Sequence, residues 1–242
     1  MEKQYFKRTR IPVRLEDCKI VNSFITISLS SKYRISYISE VLVNSLNAQG
    51  VNLVKTQIDP NEIKSFKPQF MFINEHYKIR FINDTVSINC NGKYAGWGDY
   101  MTFIALVLNE LVIIDNEMKF PFIGLNYMSA YEGIDILTKL DGKFELENIP
   151  PFANRTFEIP CKVRNNELGE NEAQVFCKIQ DRVPWNESKK ISYISVMVNH
   201  QEIGRNIENV IKDFEILHTV EKQVFFNLIS EEFINEQKPI YE

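Results

Sequence analysis

Residues 23–42 read SFITISLSSKYRISYISEVL. In the first eight, Phe24, Ile25, Ile27 and Leu29 sit in a β-rich run that predicts a strand. From residue 33 to 47 the apolar positions change period. Ile35, Ile38, Leu42 and Leu46 fall on one face of a helix. The same pair of elements recurs 98 residues later, ungapped, in PFIGLNYMSAYEGIDILTKL (121–140). Six of twenty positions are identical: Phe24/Phe122, Ile25/Ile123, Ser31/Ser129, Tyr33/Tyr131, Ile38/Ile136 and Leu42/Leu140. Chance at a single offset gives roughly one or two.

Working outward, QFMFIN, YKIRFIN and TVSINC read as three short strands, separated by Asn/Glu and Asn/Asp pairs suited to tight turns. DYMTFIALVLNELVIID reads as a helix with Asp99 as N-cap and Phe103, Leu106, Val107 and Leu111 on its apolar face. The second half repeats the order. Lys119 to Met128 predicts a strand and Tyr131 to Leu140 a short helix. RTFEIPCKV, AQVFCKIQ and ISYISVMVN are alternating strands. NIENVIKDFEILHTVEKQVFFNLISEEF is one long helix, striped by Ile207, Val210, Phe214, Leu217, Val224 and Leu228. The expected fold is α+β: a tandem duplication of a strand–helix–three strands–long helix unit, its antiparallel sheet carrying helices on one face. Strands 23–30 and 121–128 should be equivalent, as should helices 99–115 and 205–231. The expected organisation is a basic arm (1–18), halves at 19–118 and 119–234 forming one compact unit, and a tail (235–242). Pro150 and Pro151 mark the loosest connection, because they bar regular pairing.

Composition narrows the function classes. Hydrophobic residues make up 44% and aromatics 12%, too many for a disordered chain. The net charge of −4 argues against a whole-surface polyanion binder. Within residues 1–14, however, Lys3, Lys7, Arg8, Arg10 and Arg14 face a single acid, Glu2. That segment reads as a solvated arm, with a nucleic-acid-binding tail as the alternative. Tyr5 and Phe6 could stack on bases or dock the arm. No apolar run reaches the length of a membrane span, and MEKQYFKRTRIPVR has no apolar h-region. Cys18, Cys90, Cys161 and Cys177 form no C-x-x-C pair, so they are expected to be reduced thiols in a cytoplasmic protein.

The glycine-rich stretch NCNGKYAGWGDYM (89–101) resembles a phosphate loop only loosely. It lacks the Lys and hydroxyl of a P-loop, and the strands before it read as antiparallel, unlike a dinucleotide fold. Asp99 would repel an anion at the helix start. The stretch is therefore read as a bend, with Gly96 and Gly98 supplying backbone freedom and a mostly buried Trp97 plugging the sheet–helix junction. His76, His200 and His218 show no metal-ligand spacing. His218 flanks the stripe of the last helix and reads as a boundary histidine; Glu221 is the carboxylate within helical reach if it were instead a general base. No nucleophile elbow occurs. No catalytic, cofactor-binding or metal-binding residue is assigned.

Three segments, INCNGKYAGWGDY, FIGLNYMSA and LHTVEKQVFFNLIS, resemble in order the markers of a sporadically distributed bacterial family of uncharacterised proteins. The corresponding positions are Tyr94, Gly96 and Trp97; Leu125 to Ser129; and Leu217, His218, Phe225 and Phe226. The chain departs from the pattern at Asn126, where an Arg is common. The resemblance implies no activity. Its patchy distribution implies accessory, antiviral-defence or toxin-neutralising cargo.

Three functions are weighed. The first is a non-catalytic binding protein with a protein partner, its broad sheet serving as the surface. The second is a nucleic-acid binder, because the repeated element order resembles the saddle of the TATA-binding protein, which reads the minor groove with its sheet. The third is an enzyme with a pocket between the sheet and the last helix, using His218.

Overall fold

Alternation along the strands sets the architecture. The computed structural model describes residues 8, 10–17, 19–58, 68–92, 94, 96–142, 155–164, 172–184, 190–201 and 206–241. Lys3, Lys7, Cys18, Pro150 and Pro151 lie outside them. In chain order the elements are β1 (Arg14–Leu15), β2 (Lys19–Ser30), α1 (Ile35–Ala48), β3 (Val54–Lys55), β4 (Phe70–Ile73), β5 (Tyr77–Ile82), β6 (Thr85–Cys90) and α2 (Trp97–Ile114). There follow β7 (Lys119–Glu132), a 3-10 turn (Ile136–Lys139), β8 (Arg155–Arg164), β9 (Glu172–Pro184), β10 (Lys190–Gln201), α3 (Ile207–Leu228), α4 (Glu231–Glu236) and β11 (Pro239–Ile240).

Among the described residues, nine strands form one sheet in the order β3-β4-β5-β6-β2-β7-β10-β9-β8. Every neighbouring pair is antiparallel. The two strands that share sequence, β2 and β7, lie side by side at the centre. Outward from them run β6, β5 and β4 on one side and β10, β9 and β8 on the other. The register is symmetric as well. Thr26 faces Gly124, with Ile25 opposite Leu125 and Ile27 opposite Ile123. The 98-residue shift that aligns the two sequences therefore exchanges the strands about the Thr26–Gly124 pair. The flanking strands follow suit: Ile25 faces Ile88 of β6, and Ile123 faces His200 of β10.

The helices lie on one face. Ile25, Ile79, Ile88, Ile123, Leu125 and Val198 of the strands have no exposure, and neither have Leu42, Leu46, Ile104, Leu108, Phe214 and Leu217 of the helices. Together they form one core. Each such side chain contributes about 1.5–3 kcal/mol by leaving water. Tyr77 of β5 stacks on Phe103 of α2 with ring centres 3.8 Å apart. Tyr131 of β7 packs against Phe233 of α4. Helices α1 and α2 are joined through buried Glu110, which accepts from the Ser45 hydroxyl and from the Gln49 amide at 2.7 Å. By length and composition α2 does match a membrane span, contrary to the sequence expectation. Its fully buried Tyr100, Ile104, Val107, Leu108 and Leu111 pack it as a core helix.

Several local expectations are corrected. Helix α2 begins at Trp97, so Asp99 lies in its first turn and Gly96 is the N-cap, at φ 107°. Gly98 is helical and needs no glycine freedom. The short helix expected from Tyr131 is strand as far as Glu132; Gly133, at φ 72°, turns the chain, and only the 3-10 turn follows. This turn stands where the first half has the 14-residue α1, so the helices repeat less well than the strands. The last helix breaks at Ile229, whose extended backbone pairs with Leu140. Ser230 then caps α4 by accepting from the Phe233 amide. Within the expected tail, α4 runs on to Glu236 and Pro239–Ile240 form β11, antiparallel to β1. The described part of the arm is docked rather than solvated. Arg8 pairs with Glu231 at 3.0 Å, and the Arg10 guanidinium lies over the Tyr241 ring.

Candidate functional site

The sequence candidates divide between the two faces of the sheet. Tyr94, Gly96, Trp97 and His218 come together on the helical face, where the first turn of α2 meets the middle of α3. Tyr94 and Tyr127 share a hydrogen bond between their hydroxyls at 2.7 Å. The Trp97 ring lies flat on the His218 ring, 4.1 Å between centres and 11° between planes. Its indole N–H donates to Glu215 at 2.7 Å. Trp97 is only half-buried, not mostly buried as expected. The plug is its neighbour Tyr100, fully buried, whose hydroxyl donates to the Ile88 carbonyl. Tyr127 and Tyr100 were missed by the motif reading. Tyr127 could have been found from the alternation Ile123, Leu125, Tyr127, which aims it at the helices.

Burial controls the protonation of this cluster. It lowers the His218 pKa to about 3, with the nearby Lys222 ammonium adding to the effect. It raises the Glu221 pKa to about 8, against a smaller opposing pull from Lys222. Near neutral pH the imidazole is unprotonated and the carboxyl largely protonated. His218 at this basicity, with one ring face covered by Trp97, is poorly suited to general-base work. The pH dependence of stability follows. A folded pKa above the unfolded value of about 4.5 gives stability that is complete below pH 4.5 and lost as pH rises through about 8. The His218 contribution is complete above about 6.5 and lost as pH falls towards 3. We expect Glu221→Gln to narrow the gap in melting temperature between pH 5.5 and 8.5, measured beside the parent protein. An unchanged gap would show that Glu221 does not set the alkaline limb.

Asn126 lies on the opposite face, together with every second residue of the strands, and none of the described helices packs there. In the central row Arg80, Ser87, Thr26, Gly124, Asn199, Gln174 and Lys162 stand opposite one another from β5 to β8. The next row reads Lys78, Asn89, Phe24, Asn126, Met197, Phe176 and Pro160. Its polar groups are held in place. Arg80 donates to Asn89 at 2.8 Å, and Asn126 donates to Ser195 at 3.0 Å. At the centre a side chain on residue 124 would meet the Asn199 carboxamide oxygen 2.6 Å from its Cβ, so glycine there lets Asn199 lie across β7. Phe24 and Phe122 are half-buried, and Phe176 is 45% exposed. The strands carry Lys19, Lys78, Arg80, Lys162 and Lys178 on this face against Glu132, Glu158 and Glu172. The face thus has a surplus of cations on a chain of net charge −4. Lys178 pairs with Glu158 at 2.9 Å and Lys162 with Glu172 at 3.6 Å.

The thiols divide as well. Cys177 is buried and Cys90 half-buried, while Cys161 is exposed on β8. Burial pushes the Cys177 thiol up to about 12, which keeps it inert. Among the described residues no group of three or more His, Cys, Asp or Glu side chains is placed to hold a metal ion. Comparison of the chain with family models, curated proteins and solved structures finds no match.

Proposed function

We propose that this chain is a non-catalytic binding protein that works through the helix-free face of its sheet. The observation that carries the reading is the division of the strands. One set of alternate residues is sealed under the helices, and the other is polar and aromatic with no described helix over it, Asn89 and Asn126 being buried between their neighbours and held by them. The His218 cluster, closed by Trp97 and Tyr127, supports a structural role for the residues that a catalytic reading would use. We also infer that the symmetric strands arose by tandem duplication. The resemblance carried by Tyr94, Gly96 and Trp97 favours an accessory role in a bacterium, and the unpaired cysteine spacing favours the cytoplasm.

The test pairs a substitution on each face. Phe24→Ser with Met197→Ser alters the helix-free face, whereas Ile113→Ser alters an exposed position of α2. The expected result is loss of function in the native host for the first variant, normal function for the second, and near-parental melting temperatures for both. Loss of function in His218→Gln at an unchanged melting temperature would overturn the reading in favour of an enzyme.

A further inference from the structure

This inference rests on the binding-face reading above and names the occupant. We propose that the helix-free face docks a double-stranded nucleic acid, with the minor groove against the sheet and a duplex dyad over the Thr26–Gly124 pair.

Three features of the face converge on that chemistry. The first is symmetry. The β2–β7 register exchanges the two central strands about Thr26–Gly124, and a duplex has two-fold axes perpendicular to its length. A second copy of this chain could also use a two-fold, but it would set one cation surplus against another. A polyanion takes that surplus without repulsion. The second is the hydrogen-bonding set. Thr26, half-buried, and Ser87, Asn89, Asn126 and Asn199, each buried among its neighbours, put uncharged amides and hydroxyls in the floor of the face around the dyad. Minor-groove readers use such groups on the acceptors that every base pair displays there. The third is the pair of half-buried phenylalanines. Phe24 and Phe122 are exchanged by the same symmetry, because Phe24 faces Asn126 and Phe122 faces Ser28. At about 3.3 Å per residue and 4.8 Å between strands, the two backbone positions are about 14 Å apart. That spans about four base-pair steps of about 3.4 Å each. Apolar rings at such positions act as wedges between base steps, the usual partner of amide contacts in the minor groove. The overall charge of −4 makes the expected binding modest in affinity, confined to this face and steeply salt-dependent.

The experiment uses the full chain and a fluorescent A·T-rich DNA duplex of about twenty base pairs, followed by anisotropy at about 50 and 200 mM salt. The expected result is saturable binding at low salt that weakens at least about tenfold at high salt. Phe24→Ser combined with Phe122→Ser should weaken it by about tenfold or more, the scale of lost base stacking. Should that variant melt early, Lys78→Glu with Lys162→Glu, two charge reversals on this face, gives the same reading without removing a ring. The absence of saturable binding at low salt would overturn the proposal. So would binding that both face variants leave intact, for instance binding lost only on Lys3→Gln with Lys7→Gln. If the face variants abolish a protein contact or self-association, read by sedimentation, while the duplex is not bound, the nucleic-acid proposal fails and the binding face stands. If they change nothing in the host or in the tube, both fail.

Discussion

Tyr100→Ala lowers stability by about 3–5 kcal/mol, the cost of emptying a large buried aromatic site. Tyr100 has no exposure. Its ring meets Tyr77 face to face and Tyr94 and Trp97 edge to face. Its hydroxyl closes on the Ile88 carbonyl in the middle of β6. The alanine would leave a cavity between sheet and helix and an unmatched acceptor at its edge. Tyr100→Phe separates the two effects and should cost about 1–3 kcal/mol, the hydrogen bond alone. Urea denaturation of both variants provides the measurement. A Tyr100→Ala loss under 1 kcal/mol would mean that another side chain seats the start of α2, and the aromatic cluster would lose its structural explanation.

Asp181→Ala is expected to cost about 3–5 kcal/mol, as breaking a buried charge cluster does. The value should lie near the low end, because the arginines reach solvent at their edges. Asp181 is itself fully buried at an irregularity between β9 and β10. It accepts from Arg155 at 2.7 Å, Arg182 at 2.9 Å, the Ser192 hydroxyl at 3.2 Å and the Ile136 amide at 3.2 Å. It thereby holds the edge strand β8, the turn after β7 and strand β10 to one point. Burial pushes its carboxyl up, but the hydrogen bonds from Arg182 and Arg155 together outweigh burial and keep the pKa below the usual range. The sign follows. The contribution is complete above the unfolded pKa of about 3.9 and is lost as pH falls through the lower folded value. Asp181→Asn should therefore flatten the acid limb of the stability curve, and an unchanged limb would locate acid sensitivity elsewhere.

The strands were legible because their two faces meet different surroundings. In β2 the alternation of Ile25, Ile27 and Leu29 with Thr26 and Ser28 states which side the core is on. The 98-residue echo in β7 anticipates the symmetric sheet order. The failures are physical too. Tyr131, Ile136 and Leu140 have helical spacing, yet Gly133 takes a left-handed turn and Tyr131 is held in the sheet by its pairing with Ser192. The stripe of the last helix runs through Ile229 without interruption, and only Ser230 before Glu231 and Glu232 marks the new start. Strands β1 and β11 have two residues each, too few for any period to show. The aromatic cluster was partly visible at Tyr94, Trp97 and His218, but its buried member is Tyr100. Asn126 was singled out beside them in sequence, and strand parity sends it to the other face.

The pairing of β1 with β11 bears on the order in which the molecule assembles. It joins Arg14 to Ile240, so a chain emerging from the ribosome cannot make this contact until residue 240 has emerged. Closing so long a loop before the sheet exists is entropically costly. Once β2 and β7 have met, the ends are already near and the clasp forms at little further cost. Two short strands with few buried side chains then belong among the first segments to reopen. Such opening frees Arg10 and Arg14 together with Tyr241, and so couples the fraying of the segment before β2 to that of the segment after α4 while the central sheet stays closed.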